Sequence, residues 1–313
     1  MFNQENNPFV IVLGAAGFVG RHVCKALSVQ GVQVIGLGHG HFSLKEAHFW
    51  GIKRWIEDDI SLDALNRHLP DVQPAAIINC GGSGAVSYSY THPYKDFQRA
   101  VDSTAAMLEW ARLRSTSCRV VLVSSAAVYG DRGDTDATES TVRAPISPYG
   151  YHKVCAESLC ESFSHFFNVP VSIVRLFSVY GEGLRKQLLW DAMTKFAQGK
   201  YQFFGTGHEL RDWIHVEDAA RLVSLAATSS RAPYEIYNGA HTHATTRDVL
   251  TKLAHAAGVL AEPLFNNETH VGNPRRLTAN CGHAQRQLAW TPVVRLEDGL
   301  SRYAAWFKTG IAT

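Results

Sequence analysis

A phenol and an ammonium lie four residues apart in SPYGYHK, residues 147–153, where Tyr149 and Lys153 follow a Ser-Pro turn. Four residues is slightly more than one helical turn, so a helix sets both side chains on one face. A free tyrosine is a poor base at neutral pH, because its pKa lies near 10. A cation beside it favours the phenolate and makes proton transfer practicable. An exposed pair on a helix has the same spacing, so other segments must decide whether this pair does chemistry.

Upstream, VLVSSAAVYG carries an apolar run into Ser124 and Ser125. A hydroxyl at the carboxyl edge of that strand can hydrogen-bond the oxygen whose proton Tyr149 exchanges. Ser125, Tyr149 and Lys153 are therefore the candidate catalytic set, with Tyr149 and Lys153 also facing a cofactor's nicotinamide and its ribose.

The cofactor is suggested by VLGAAGFVG, in which Gly14, Gly17 and Gly20 stand between a strand and a helix. Such glycines let the backbone turn tightly and approach a pyrophosphate, while the first helical residues, Phe18 and Val19, supply unpaired N–H groups. NAD calls for a carboxylate at the end of the second strand, on the ribose hydroxyls. VIGLGHG has Gly38 there, then His39, with His41 beyond. No carboxylate holds the 2′-hydroxyl, and an imidazole is available to a 2′-phosphate, so NAD and NADP both stay open. After a third strand, EDDIS offers Asp59 and Ile60 to the adenine edge, although Asp59 is equally suited to cap the next helix.

These residues need a scaffold, and the sequence supplies one. FVIVLG (9–14), VQVIGL (32–37), AAIINC (75–80), RVVLVSS (119–125) and VSIVRLF (171–177) are short apolar runs separated by amphipathic helical stretches. Continuous apolar strands with crossover helices predict a doubly wound, parallel α/β sheet covered on both faces, with ligands at the carboxyl ends of the strands. Residues 1–177 read as a dinucleotide-binding domain. Residues 178–313 read as a smaller C-terminal substrate-binding cap, with segment 211–240 returning to the first domain. The chain has 313 residues, 46% hydrophobic and 19% charged, with a formal charge of +2. That balance describes a folded protein and gives no reason to expect a nucleic-acid or membrane partner. The 15 histidines form no zinc-ligand pattern with the six cysteines, which lack a CxxC and read as reduced, buried thiols. No metal is expected. The N-terminal stretch lacks a basic segment followed by an apolar one, so no signal peptide is expected, and a cytoplasmic location follows.

GAAGFVG, SSAAVYG, SPYGYHK, VRLFSVYGEG, FFGTGHELRDWIHVEDAA and LAWTP together resemble the extended short-chain dehydrogenase/reductase family, in its nucleotide-sugar epimerase/dehydratase branch. The resemblance implies that Ser125, Tyr149 and Lys153 are the catalytic triad. It implies that Arg211 contacts the diphosphate of a nucleotide sugar, a task suited to a guanidinium fork. Arg211 paired with Asp212 or Glu217 is the alternative. Arg275 or Arg276 adds a second diphosphate contact. A homodimer through helices 94–114 and 150–168 is implied as well.

Departures from the family narrow the activity. Dehydratases of the branch carry Asp-Glu where this chain has Ala126 and Ala127, which argues against elimination of water. An asparagine is replaced by Ala100 and another by Ser178, and the unusual LRKQLLWDA makes Lys186 and Gln187 candidate substrate contacts. The leading expectation is an NAD(P)-dependent nucleotide-sugar epimerase acting at C4. An NADPH-dependent reductase of a 4-keto-6-deoxy nucleotide sugar comes second, and a silent dinucleotide sensor third.

Overall fold

In the strand FVIVL every residue after the first is buried. Side chains alternate across a strand, so Val10 and Val12 enter one hydrophobic layer and Ile11 and Leu13 the other. This is why the apolar runs are continuous: both faces of the sheet are covered. The computed structural model describes residues 9–114, 117–269 and 272–310; the first eight residues of the stretch read above for a leader lie outside them.

The first six strands, all in the main sheet, are β1 (Phe9–Leu13), β2 (Gln33–Gly38), β3 (Ile52–Glu57), β4 (Ala76–Asn79), β5 (Arg119–Ser125) and β6 (Val171–Leu176). Smaller strands follow: β7 (Ser178–Tyr180), β8 (Gln202–Phe203), β9 (Leu210–His215), β10 (Tyr234–Gly239), β11 (Thr242–Thr245), β12 (Leu264–Phe265) and β13 (Arg276–Leu277). The main sheet has seven parallel strands in the order β10-β6-β5-β4-β1-β2-β3, the doubly wound architecture expected from the sequence. The strand order reverses between β1 and β4, which run parallel, and the carboxyl ends of these two strands open the crevice where ligands of such sheets bind.

Helices Phe18–Val29 and Val216–Thr228 cover one face, and Ser103–Arg114 and Pro148–Phe167 the other. The helix expected over 94–114 is broken by a π-helical turn at Gln98–Asp102. The remaining residues build a separate core, in which Leu189, Met193, Leu250, Leu300 and Phe307 pack beneath a four-stranded sheet of β7, β9, β11 and β13. β10 lies in the middle of this layer in sequence yet pairs with β6 over six residue partners, Tyr234↔Val171 to Gly239↔Leu176. Cys24, Cys118 and Cys160 are buried, whereas Cys155 is exposed, contrary to the uniform burial expected. No described helix is long and apolar enough to cross a membrane.

Candidate active site

Ser147 starts the helix that carries the tyrosine. Its hydroxyl accepts the Gly150 N–H at 3.2 Å, and Pro148 takes a first-turn position where its missing N–H costs nothing. Gly150 is needed for the helix to dock, because a Cβ there would lie 2.7 Å from the Ala127 carbonyl oxygen. The Tyr149 N–H donates to Ser89 Oγ at 3.0 Å. These contacts bring Tyr149 beside the end of β5, where Ser125 Oγ accepts the Ala127 N–H at 3.2 Å and hydrogen-bonds the phenol.

Lys153, one turn further on, puts Nζ 5.9 Å from the centre of the Tyr149 ring and donates to the Val123 carbonyl at 3.0 Å. The sequence led us to expect a phenol held acidic by this ammonium. Instead, burial pushes the Tyr149 phenol up to about 12, and the charge of Asp96 acts in the same direction. The Ser125 hydrogen bond opposes them and does not prevail. Burial likewise lowers Lys153, against the pull of Asp96 and Glu157. A group that is neutral when buried avoids the cost of desolvating a charge, and that cost dominates here.

These three side chains line one cavity of about 1200 Å³. Gly17, Phe18 and Val19 line it from the glycine turn, and Ser178, Lys186, Gln187 and Arg211 from the second layer. Two glycines of the turn leave no room for a side chain: a Cβ on Gly20 would lie 2.2 Å from the Gly14 carbonyl oxygen, and one on Gly14 2.9 Å from the Gly81 nitrogen. With φ of +73° at Gly14 and no side chain capping the helix at Gly17, the turn presents backbone N–H groups and fits a pyrophosphate.

Gly14, Gly38, His39, Asp59 and Ile60 do not line this cavity; they gather at the neighbouring strand ends. A Cβ on Gly38 would stand 3.3 Å from Gly14 Cα, so a side chain there would press on the glycine turn. His39 Nε2 lies 2.7 Å from Asp59 Oδ1, both side chains well exposed, so the imidazole offered to a 2′-phosphate already has a carboxylate beside it. Asp59 is not the helix cap: Ser61 accepts the Ala64 N–H at 3.1 Å and fills that role. Ile60 packs over Gly81.

Arg211 ends in a built pocket. Its Nη2 donates to Asn273 Oδ1 and to the Pro274 carbonyl, both at 2.5 Å, and burial lowers its pKa to about 10. The alternative pairings fail on geometry, since Asp212 takes the Ala279 N–H at 2.7 Å and Glu217 is held by Arg302. Arg275 and Arg276 stay out of the cavity, a correction to the sequence reading. Arg275 is exposed beside Asp131, and Arg276 reaches Asp136 at 2.7 Å, each drawn to a carboxylate outside the cavity, while the Pro274 carbonyl goes to Arg211.

Two buried networks were not foreseen. Glu157 accepts from Ser124 at 2.6 Å and from Arg175 at 3.0 and 2.7 Å, bracing the end of β5. Asp96 accepts the Ser83 hydroxyl at 2.5 Å and lies 2.7 Å from His152 Nδ1. The only sequence signal for the second was the glycine-rich GGSG at 81–84. Among the described residues no group of three metal-ligating side chains is present.

A model of the NAD dependent epimerase/dehydratase family matches residues 10–240. The chain is 27% identical to an uncharacterized UDP-glucose epimerase, YtcB, of Bacillus subtilis, over 96% of this chain and 98% of that one. It is 25% identical to the UDP-glucuronate 4-epimerase of Thermodesulfobacterium geofontis over 97% of each. Among solved structures it superposes on MoeE5 in complex with UDP-glucuronic acid and NAD, with a TM-score of 0.85, 25% identity, and coverage of 96% and 99%. Matched from β1 to the end of the main sheet, and folded around a close-packed glycine turn, the chain belongs to the NAD dependent epimerase/dehydratase family, in its nucleotide-sugar branch.

Proposed function

We propose that this chain is a nucleotide-sugar 4-epimerase that retains NAD through the reaction. The observation that carries the reading is the shared cavity of Ser125, Tyr149, Lys153 and Arg211, with Ala126 and Ala127 rather than carboxylates next to Ser125. Elimination of water from a sugar needs an acid and base beside the reacting carbon. The two carboxylates that do line the cavity are engaged elsewhere: Asp191 with Lys195 at 2.8 Å, and Glu209 with the Thr206 N–H at 2.8 Å. The relatives named for epimerisation of UDP-glucose and UDP-glucuronate support the same reading.

Gly17, Phe18 and Val19, with the close-packed Gly14 and Gly20 behind them, would hold NAD, which when bound would supply hydride acceptance and return. The chain's own part is proton handling. Tyr149 takes the proton of the C4 hydroxyl and gives it back, and Ser125 holds the C4 oxygen in line with the phenol. Lys153, with Nζ 5.9 Å from the ring centre, is the cation that favours the phenolate against the burial that raises its pKa. Arg211 holds the diphosphate, fixing the nucleotide while the 4-keto sugar turns over, and Ser178 and Gln187 border the same space.

The missing carboxylate at Gly38 favours one second reading, an NADPH-dependent 4-keto reductase. Denaturing the purified protein and identifying the released nucleotide separates the two. Stoichiometric NAD(H), with interconversion of C4 epimers followed by proton NMR, supports the epimerase. An empty protein that binds NADPH far more tightly than NADH sinks it.

Tyr94 at 72% exposure and Tyr151 at 59%, with Leu113 and Phe166, leave an apolar surface on helices Pro93–Phe97, Ser103–Arg114 and Pro148–Phe167. That surface supports a homodimer, to be checked by light scattering. Together with the six free cysteines, the reading is of a cytoplasmic enzyme.

A further inference from the structure

The cavity's charge is unbalanced. Once Asp191–Lys195 and Glu209 are set aside, Lys153, Lys186 and Arg211 line it with no carboxylate within ion-pair distance among the described residues. Lys153 belongs to the proton chemistry and Arg211 to the diphosphate. Lys186 has no assigned role.

Its position is informative. Lys186 Nζ donates to the Ser83 carbonyl at 2.5 Å, and the next residue, Gln187, donates to the Gly84 carbonyl at 2.5 Å. A Cβ on Gly84 would stand 3.4 Å from Lys186 Nζ, and one on Gly82 3.7 Å from Lys153 Nζ. The two ammonium groups therefore approach the same loop at positions two residues apart. Lys186 thus shares a loop with the Lys153 ammonium beside Tyr149, which makes it available to the reacting sugar. The loop is preset, since the Ser83 hydroxyl is fixed by buried Asp96.

The surroundings also favour an anion there. Lys186 is the N-cap of the helix Gln187–Ala197, which has no acidic residue in its first turn, so the positive end of the helix dipole stays uncompensated. The Lys186 residue is exposed, yet its ammonium is partly withdrawn from water; this, with the positive charge of Arg99, lowers its pKa. A neutral hexose would replace one carbonyl contact by hydroxyls and leave the charge unmatched. A carboxylate on the ring would gain a charge-assisted hydrogen bond.

We propose that Lys186 binds a carboxylate carried by the sugar, so that the preferred substrate is a nucleotide-linked uronate and not a neutral hexose. The inference rests on reading the cavity as a nucleotide-sugar site, but it does not require C4 chemistry. It is tested by calorimetric titration of the NAD-loaded protein with UDP, UDP-glucose and UDP-glucuronate, and with the thymidine carriers, in the wild type, K186M and K186R. The wild type should bind the uronate about 10- to 100-fold more tightly than the glucose compound, the range of hydrogen bonds to charged groups. K186M should erase that ratio and K186R should keep most of it. Equal affinity for the two sugars, a ratio that K186M leaves intact, or no binding of either sugar above the bare diphosphate would overturn the proposal. Uronate preference without exchange at C4 by NMR would remove the epimerase reading and leave this one standing. Equal turnover of both sugars, unchanged in K186M, would do the reverse.

Discussion

The imidazole of His152 and the carboxylate of Asp96 meet at 2.7 Å, one residue before Lys153 in the chain, with Asp96 only 1% exposed. The pair joins the catalytic helix to the loop that follows β4, because the other oxygen of Asp96 takes the Ser83 hydroxyl. Its negative charge also opposes ionisation of Tyr149 while favouring the charged form of Lys153.

Replacing Asp96 by Asn should therefore separate structure from electrostatics. The phenol of Tyr149 should titrate at lower pH, read as phenolate absorbance against a Y149F reference. Stability should fall by about 1–3 kcal/mol, as a buried donor loses its acceptor. An unchanged phenol midpoint would mean that Asp96 acts only as a brace.

Tyr149→Phe should lower kcat about 100- to 10 000-fold, the range of a lost general acid–base, while the bound dinucleotide and the fold persist. Retained activity in this variant would end the proton-transfer role.

Arg211→Ala should weaken nucleotide diphosphate binding about tenfold or more, as a charge-assisted fork is lost. Arg275→Ala and Arg276→Ala should stay within about threefold, since both side chains point to surface aspartates. Titration calorimetry with UDP compares all three, and equal losses would mean that the basic segment binds as a patch.

Alkaline pH should unfold the protein early. Burial raises Tyr129 and Tyr149 to about 12 and raises Tyr180, Tyr234 and Tyr303 as well. A phenol whose folded pKa is raised contributes full stability below the unfolded value near 10 and loses it as pH climbs through the folded value. Each such group steepens the loss by roughly 1.4 kcal/mol per pH unit in that window. Urea midpoints measured from pH 9 to 12 should decline from about pH 10, and a flat profile would contradict the burial of these phenols.

Gly20→Ala tests the glycine turn, where the added methyl meets the Gly14 carbonyl oxygen. Overpacking of this kind costs about 1–3 kcal/mol, and the variant should also purify without dinucleotide. Normal cofactor content would show that the turn can widen.

Much of the main sheet was legible because β1, β2, β4, β5 and β6 carry nearly continuous apolar runs, a signal held within a few residues, whereas β3 (IKRWIE) does not. The Tyr149–Lys153 pair was legible for the same reason, since helical spacing alone puts the two on one face. Asp96 and His152 were not, because 56 residues separate them and nothing local marks either. The Glu157–Arg175 pair was hidden in the same way, with Glu157 on a helix and Arg175 on β6. Arg275 and Arg276 were misread because charge and proximity to Pro274 say nothing of direction. Their partners decide that: Asp131 and Asp136, distant in the chain, hold the two guanidinium groups away from the cavity. The π-helical turn at Gln98–Asp102 leaves the apolar pattern around it almost intact, and so gave no sign in the sequence.

The strand Tyr234–Gly239 has a consequence for how this enzyme can be engineered. It and the helix Val216–Thr228 are encoded in the middle of the second layer, yet they complete the first. Exchanging everything after residue 177 for the equivalent piece of another protein would strip a strand and a covering helix from the sheet. Grafts that aim to change the sugar must leave residues 216–239 native and replace the pieces on either side of them.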